Sequence, residues 1–295
     1  MDRSLNRCCH KCFFCVYILE LTAENELILN SKKKNNKYEN NNDVYSFQCF
    51  GCITKKYVGI VCTTKATNHY FDGNTSLFTN DGRSKDGTIE YILELEKKYD
   101  KIKVIIGDGF WNGKTSMCNA ASKISTGDYI WQVDSDEFYK KEDQIKILKL
   151  LEDEKPDSVH FFANHFFGGF DYCIDESCYN SWGNGIPWMR IFKNIPNKSQ
   201  WISHEPPQYV CDGLICNDGK VISRETTLQM GIKMFHYSYV HENQIKFKDI
   251  FFCQTPNYQN YWNNFIRNKN TLVWGSKVNE FKSEHPEIIK NNYLS

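Results

Sequence analysis

The segment Trp131-Gln132-Val133-Asp134-Ser135-Asp136-Glu137 is the one best equipped for chemistry. An apolar run delivers two carboxylates, Asp134 and Asp136, one residue apart. In extended backbone such residues point to the same side. Two carboxylates so placed can share a hard divalent cation, Mn²⁺ or Mg²⁺, which prefers oxygen ligands and commonly bridges to a diphosphate. A polar loop after a strand would read the same way, so the surrounding pattern has to decide.

A second segment is Asn80-Asp81-Gly82-Arg83-Ser84-Lys85-Asp86-Gly87-Thr88. Here a short apolar run, Ser76–Thr79, ends at a turn signal and a helix opens. Asp81 at such a strand end can accept hydrogen bonds from a ribose or base. Ser84 or Asp86 can serve the helix as its N-cap.

The elements that must position these groups follow from the periodicity. Tyr57–Thr63 is β-rich, and Ile89, Ile92 and Leu95 have the 3–4 spacing of an amphipathic helix ending near Tyr99. Lys103–Ile106 reads as a strand and Ser116–Ile124 as a helix. Tyr129–Val133 is a strand, Glu142–Glu154 a helix with Ile145, Leu148 and Leu151 on one face, and Ser158–Phe162 a strand. This alternation predicts an α/β fold, a mainly parallel open sheet with helices on both faces. Ligands bind such sheets beyond the carboxyl ends of the strands, where both acidic segments fall.

Three regions result. Residues 1–56 form an atypical N-terminal segment whose run Ser31–Asp43 is a polar linker. Residues 57–255 hold the alternating pattern and then, from 163, a smaller antiparallel, loop-rich region. Residues 256–295, with Trp262, Phe265 and Trp274, read as a helical C-terminal cap.

Composition narrows the partners. Lys+Arg and Asp+Glu are both 36, so the net charge is zero, and only six of the basic residues are Arg. A nucleic-acid binder shows a basic excess, so nucleic acid is not an expected partner. No stretch approaches the ~20 apolar residues of a membrane helix. The run Cys12–Leu19 behind Arg3, Arg7 and Lys11 is short for a signal peptide, which leaves a reducing, cytoplasmic location as the expectation. Seven of the 13 Cys precede residue 63. Cys12, Cys15, Cys49 and Cys52 form two C-x-x-C pairs able to hold a structural Zn²⁺, against the alternative of reduced thiols.

Taken together, the run from Asn80 to Tyr139 resembles family 2 glycosyltransferases of the GT-A (Rossmann-like) fold. The likeness rests on the turn Asn80–Thr88, the Asn-containing helix Asn119–Ser125, Gly127-Asp128-Tyr129-Ile130, and Asp134–Glu137. Asn80 and Arg83 depart from that family's turn. The second half resembles bacterial members acting on polysaccharide or lipopolysaccharide-type acceptors. It has a strand Met189-Arg190-Ile191-Phe192, a pair His204-Glu205 and a segment His236-Tyr237-Ser238-Tyr239. The resemblance implies a hexosyltransferase-like enzyme with a nucleotide-sugar donor and a carbohydrate or glycolipid acceptor, and allows peripheral membrane contact. By the same analogy Asp81 contacts the nucleoside, Asn119 lies at the donor, Asp134 sits near the donor's ribose or the metal, and Asp136 holds the metal on the diphosphate.

Inverting transfer needs a base for the acceptor hydroxyl. Glu205 is the first candidate, with Asp171 and Asp175 as alternatives. His236 or His204 can complete the metal shell. Trp182, Trp188 and Trp201 are candidates for stacking on an acceptor sugar, since aromatic faces do this well, with core packing as the alternative, and Arg190 is placed with Trp182 and Trp188 on the acceptor side. Two other classes compete: a nucleotidyltransferase, for which residues 1–60 lack a Gly-rich basic loop, and a non-catalytic nucleotide- or sugar-binding protein.

Overall fold

The computed structural model describes residues 48–53, 58–63, 88–100, 102–107, 111–134, 136–174, 188–204, 207–251 and 257–294. Its first part alternates strands and helices: β1 (Gln48–Ile53), β2 (Val58–Thr63), α1 (Thr88–Lys98), β3 (Ile102–Ile105), α2 (Gly113–Ile124), β4 (Tyr129–Asp134), β5 (Glu137–Phe138), α3 (Lys141–Glu154) and β6 (Ser158–Phe161). The second part is strand-rich: β7 (Ala163–Phe167), β8 (Tyr172–Ile174), β9 (Trp188–Lys193), β10 (Ser199–His204), β11 (Pro207–Cys211), β12 (Leu214–Ile215), β13 (Val221–Ile222), α4 (Arg224–Gln229) and β14 (Met234–Tyr239). The chain closes with α5 (Glu242–Phe251), α6 (Tyr258–Arg267), β15 (Val278–Glu280) and α7 (Glu287–Tyr293).

Each helix forms where one face is apolar. In α1, Ile89, Ile92 and Leu95 are buried three residues apart, with Glu90 in the first turn and Lys97 and Lys98 in the last, as the helix dipole favours. Glu96 accepts the Val104 backbone N–H at 2.7 Å, which ties α1 to β3. In α2 the buried side is Lys114, Met117, Cys118, Ala121 and Ser122. Helix α3 buries Asp143, Gln144, Ile147, Leu150 and Leu151. Its expected face is thereby corrected: Ile145 is exposed. The inward turn of Gln144, whose amide donates to the Tyr139 carbonyl at 3.1 Å, sets the helix rotation instead. Lys155 then takes a left-handed conformation and Pro156 ends the element.

Three sheets organise the described residues. The largest has the order β13-β6-β9-β4-β1-β2-β3. Only β2–β3 and β13–β6 pair in parallel, while β1 and β9 run against both of their neighbours. The sheet is therefore mixed where a mainly parallel one was expected. A second sheet has the order β15-β8-β7-β14-β5, and a third, antiparallel, is β10-β11-β12. The C-terminal residues expected to be a helical cap also contribute an edge strand, β15.

The two larger sheets share strands that continue from one into the other. After Asp134 the chain leaves β4 and two residues later enters β5 of the second sheet. Across the single residue Phe162 it likewise passes from β6 to β7. The first sheet and α3 enclose a core of Trp131, Ile147, Leu151, Val159, Phe161, Ile191 and Met234. The second sheet packs Phe167, Tyr239, Phe265 and Val278 beneath α5 and α6.

Candidate active site

Five consecutive residues of β4, Tyr129 to Val133, are buried, and exposure begins at Asp134. Burial thus fixes the strand and releases its last carboxylate at the junction of the two sheets. Asp134 receives the Lys114 ammonium at 3.3 Å and the Gln132 amide at 3.4 Å, and its side chain keeps 20% exposure. Asp136 is held from the other sheet. Its carbonyl accepts the Tyr237 backbone N–H at 2.7 Å, and its carboxylate lies 3.5 Å from Nε2 of His236. Burial alone would raise the Asp136 carboxyl. The His236 ring, the Lys248 ammonium and a hydrogen bond from Ser238 outweigh it and hold the group ionised, well below the usual carboxylate range.

Glu137, the third acidic residue of the run, faces inward. Arg190 on β9 grips it with two donors, Nε at 2.8 Å and Nη2 in a shorter contact, while Glu137 accepts the Asp134 backbone N–H at 3.2 Å. Burial opposes the charge on Arg190, but the Glu137 and Asp134 carboxylates prevail and keep the guanidinium charged. A bidentate Arg–carboxylate pair fixes orientation as well as distance.

His236 occupies the centre of this cluster. In register it pairs with Glu137 on β5 and His165 on β7. Its Nδ1 lies 2.6 Å from Nδ1 of His165. The Trp188 ring sits 5.2 Å from both imidazoles, with the Arg190 guanidinium 4.5 Å above it. The structure therefore brings together Asp134, Asp136, His236, Trp188 and Arg190 of the residues singled out from sequence. Arg190 is committed to Glu137 and Trp188 rather than presented outward. Asn119 is committed to Trp201, donating to its carbonyl at 2.9 Å and accepting its N–H at 2.7 Å. Asp171 is exposed on the turn between β7 and β8.

Asp81, Asp175, Trp182 and Glu205 lie outside the described residues, as do the side chain of His204 and all four thiols of the two C-x-x-C pairs. Sequence reasoning missed two participants, Glu137 and His165. Glu137 could have been found as the third acid of its run; His165 sits in an aromatic stretch that reads as core.

A divalent cation suits the donor set in chemistry. Asp136 and His236 offer one carboxylate oxygen and one imidazole nitrogen at the partly exposed sheet junction. Ligands each about 2.1 Å from a shared ion lie roughly 3–3.5 Å apart, which the separation of these two atoms matches. Among the described residues no three His, Cys, Asp or Glu side chains converge on one point.

Residues 62–208 match the family model for glycosyl transferase family 2. The span contains Asp134, Asp136, Glu137, His165 and Arg190 and stops before His236. The chain thus carries a glycosyltransferase family 2 region on a mixed α/β fold, which supports glycosyl transfer as its general activity. No curated protein and no solved structure matched the chain. Among the described residues no helix is long and apolar enough to cross a membrane.

Proposed function

We propose that the protein is a metal-dependent, inverting glycosyltransferase that moves a hexose from a nucleotide-sugar to a hydroxyl of a carbohydrate or glycolipid acceptor, as in cytoplasmic polysaccharide assembly. The observation that carries this reading is the pair Asp134 and Asp136, released at the end of β4 and braced from both sheets. Asp136 and His236 would hold Mn²⁺ or Mg²⁺; when bound, the cation offsets charge on the departing diphosphate. Asp134, next to Lys114, faces the donor beside it, and Asp81 contacts the nucleoside. The acceptor oxygen attacks the anomeric carbon, the bond to the diphosphate breaks with its electron pair, and Glu205 takes the hydroxyl proton. Trp188 and Trp182 form the acceptor wall.

The test is release of nucleoside diphosphate from a panel of nucleotide-sugars with Mn²⁺, comparing the native chain with Asp136→Ala. Removing an electrostatic contact to the leaving group is expected to lower turnover by about 100-fold or more; because the Asp136 carboxylate is also held by Ser238, His236 and Lys248, the comparison is made at a temperature where circular dichroism shows the variant still folded. Full turnover by Asp136→Ala in the presence of Mn²⁺ overturns the assignment.

A further inference from the structure

The contact between His165 and His236 carries a role beyond packing. Their Nδ1 atoms are 2.6 Å apart, and a bond between two ring nitrogens requires one to carry a hydrogen and the other to be bare. The tautomers of the two rings are therefore coupled. His236 presents its other nitrogen, Nε2, to Asp136. Whichever nitrogen of His236 is protonated thus depends on what Nδ1 of His165 offers.

The backbone sets the two rings side by side. His165 and His236 are direct partners in the parallel pairing of β7 with β14, so their side chains leave the sheet next to each other. Trp188 closes on both rings at 5.2 Å, and the rings meet edge to face at 4.6 Å between centroids. Three aromatic planes limit rotation about either side chain's torsions.

We propose that His165 is a positioning residue for His236. Its Nδ1 fixes the ring orientation and tautomer, so that Nε2 of His236 stays aimed at Asp136. With Nδ1–H of His165 donating, His236 carries its hydrogen on Nε2 and gives it to the Asp136 carboxylate. With the hydrogen on Nδ1 of His236 and His165 accepting, Nε2 is bare and able to take a cation. The second arrangement moves one hydrogen across the bond between the rings, from Nδ1 of His165 to Nδ1 of His236. The hydrogen on Nε2 of His236 passes to solvent, and Nε2 of His165 takes one up, so each ring carries as many hydrogens after the change as before it. The cation part rests on the functional reading above; the positioning part does not.

The experiment compares the full-length chain with His165→Asn, which keeps a polar atom near Nδ1, and His165→Phe, which keeps only the ring. Two measurements are made on each without donor: Mn²⁺ affinity by calorimetry, and the ¹⁵N shifts of His236, which report its tautomer. Loss of an outer partner of a metal-binding histidine typically lowers metal affinity 10–100-fold. His165→Phe is expected to show that loss and a changed His236 tautomer pattern, with His165→Asn recovering most of both. Should the native chain bind no Mn²⁺, the metal reading fails, and the ¹⁵N comparison still decides the positioning role. An unchanged His236 tautomer pattern in a folded His165→Phe overturns the proposal, as does unchanged Mn²⁺ affinity where the native chain binds the ion.

Discussion

Glu137 and Arg190, 53 residues apart in the chain, form a buried two-point ion pair that anchors the acidic loop after β4 to the antiparallel strand β9. Because Glu137 also accepts the Asp134 N–H, the orientation of Asp134 is tied through Glu137 to the Arg190 guanidinium. Both side chains are at most 5% exposed, so neither charge has water to fall back on.

Removing one member should therefore cost more than removing both. Arg190→Met leaves a buried carboxylate uncompensated, a situation that typically costs about 3–5 kcal/mol. Urea unfolding is expected to show that loss for Arg190→Met, and a smaller one for Glu137→Leu combined with Arg190→Met. Arg190→Lys keeps the charge but not the fork, and it should fall between the native chain and Arg190→Met. Equal losses for the single and double variants would remove the ion pair as the explanation.

What could be read in advance divides by the range of the interactions. Helices α1 to α3 and strands β3, β4 and β6 follow from local periodicity, and their limits fell within a few residues of expectation. The directions of β1 and β9 depend on pairing across the sheet, which no local pattern encodes. The face of α3 was misjudged because Asp143 and Gln144 are polar yet buried. At the site, Asp134 and Asp136 announce themselves by spacing. The partners that aim them, Arg190, His165 and His236, come from other strands; His236 was singled out for the metal shell and Arg190 for the acceptor side, while His165 was not singled out.

Asn119 shows the same division. Its amide both donates to and accepts from the Trp201 backbone, which fastens α2 to β10 and to the chain leading toward Glu205. Asn119→Ala should leave both Trp201 backbone groups without this partner and lower stability by about 1–3 kcal/mol. Asn119→Asp keeps an acceptor for the Trp201 N–H but presents a carboxylate to the carbonyl, so it should be no better than alanine. Denaturant titration checks both. Loss of donor affinity with native stability would place Asn119 at the donor instead.

His160 on β6 gives the protein an acid-side weakness independent of the site. The ring is buried, 3.2 Å from the Ser158 hydroxyl, and burial, aided by the Arg224 charge, pushes its pKa down from 6.5 to about 4. The folded chain thus keeps His160 neutral where the unfolded chain protonates it. Its contribution is fully present above pH 6.5 and is lost as the pH falls from there toward 4. One pH unit corresponds to about 1.4 kcal/mol, so this residue alone should lower stability by about 2 kcal/mol between pH 7.5 and 5.0. Urea titrations at the two pH values, on the native chain and His160→Gln, measure it. The variant starts lower at pH 7.5 but should lose about 2 kcal/mol less on acidification; parallel losses would mean that the His160 ring is already protonated, or already solvated, in the folded state.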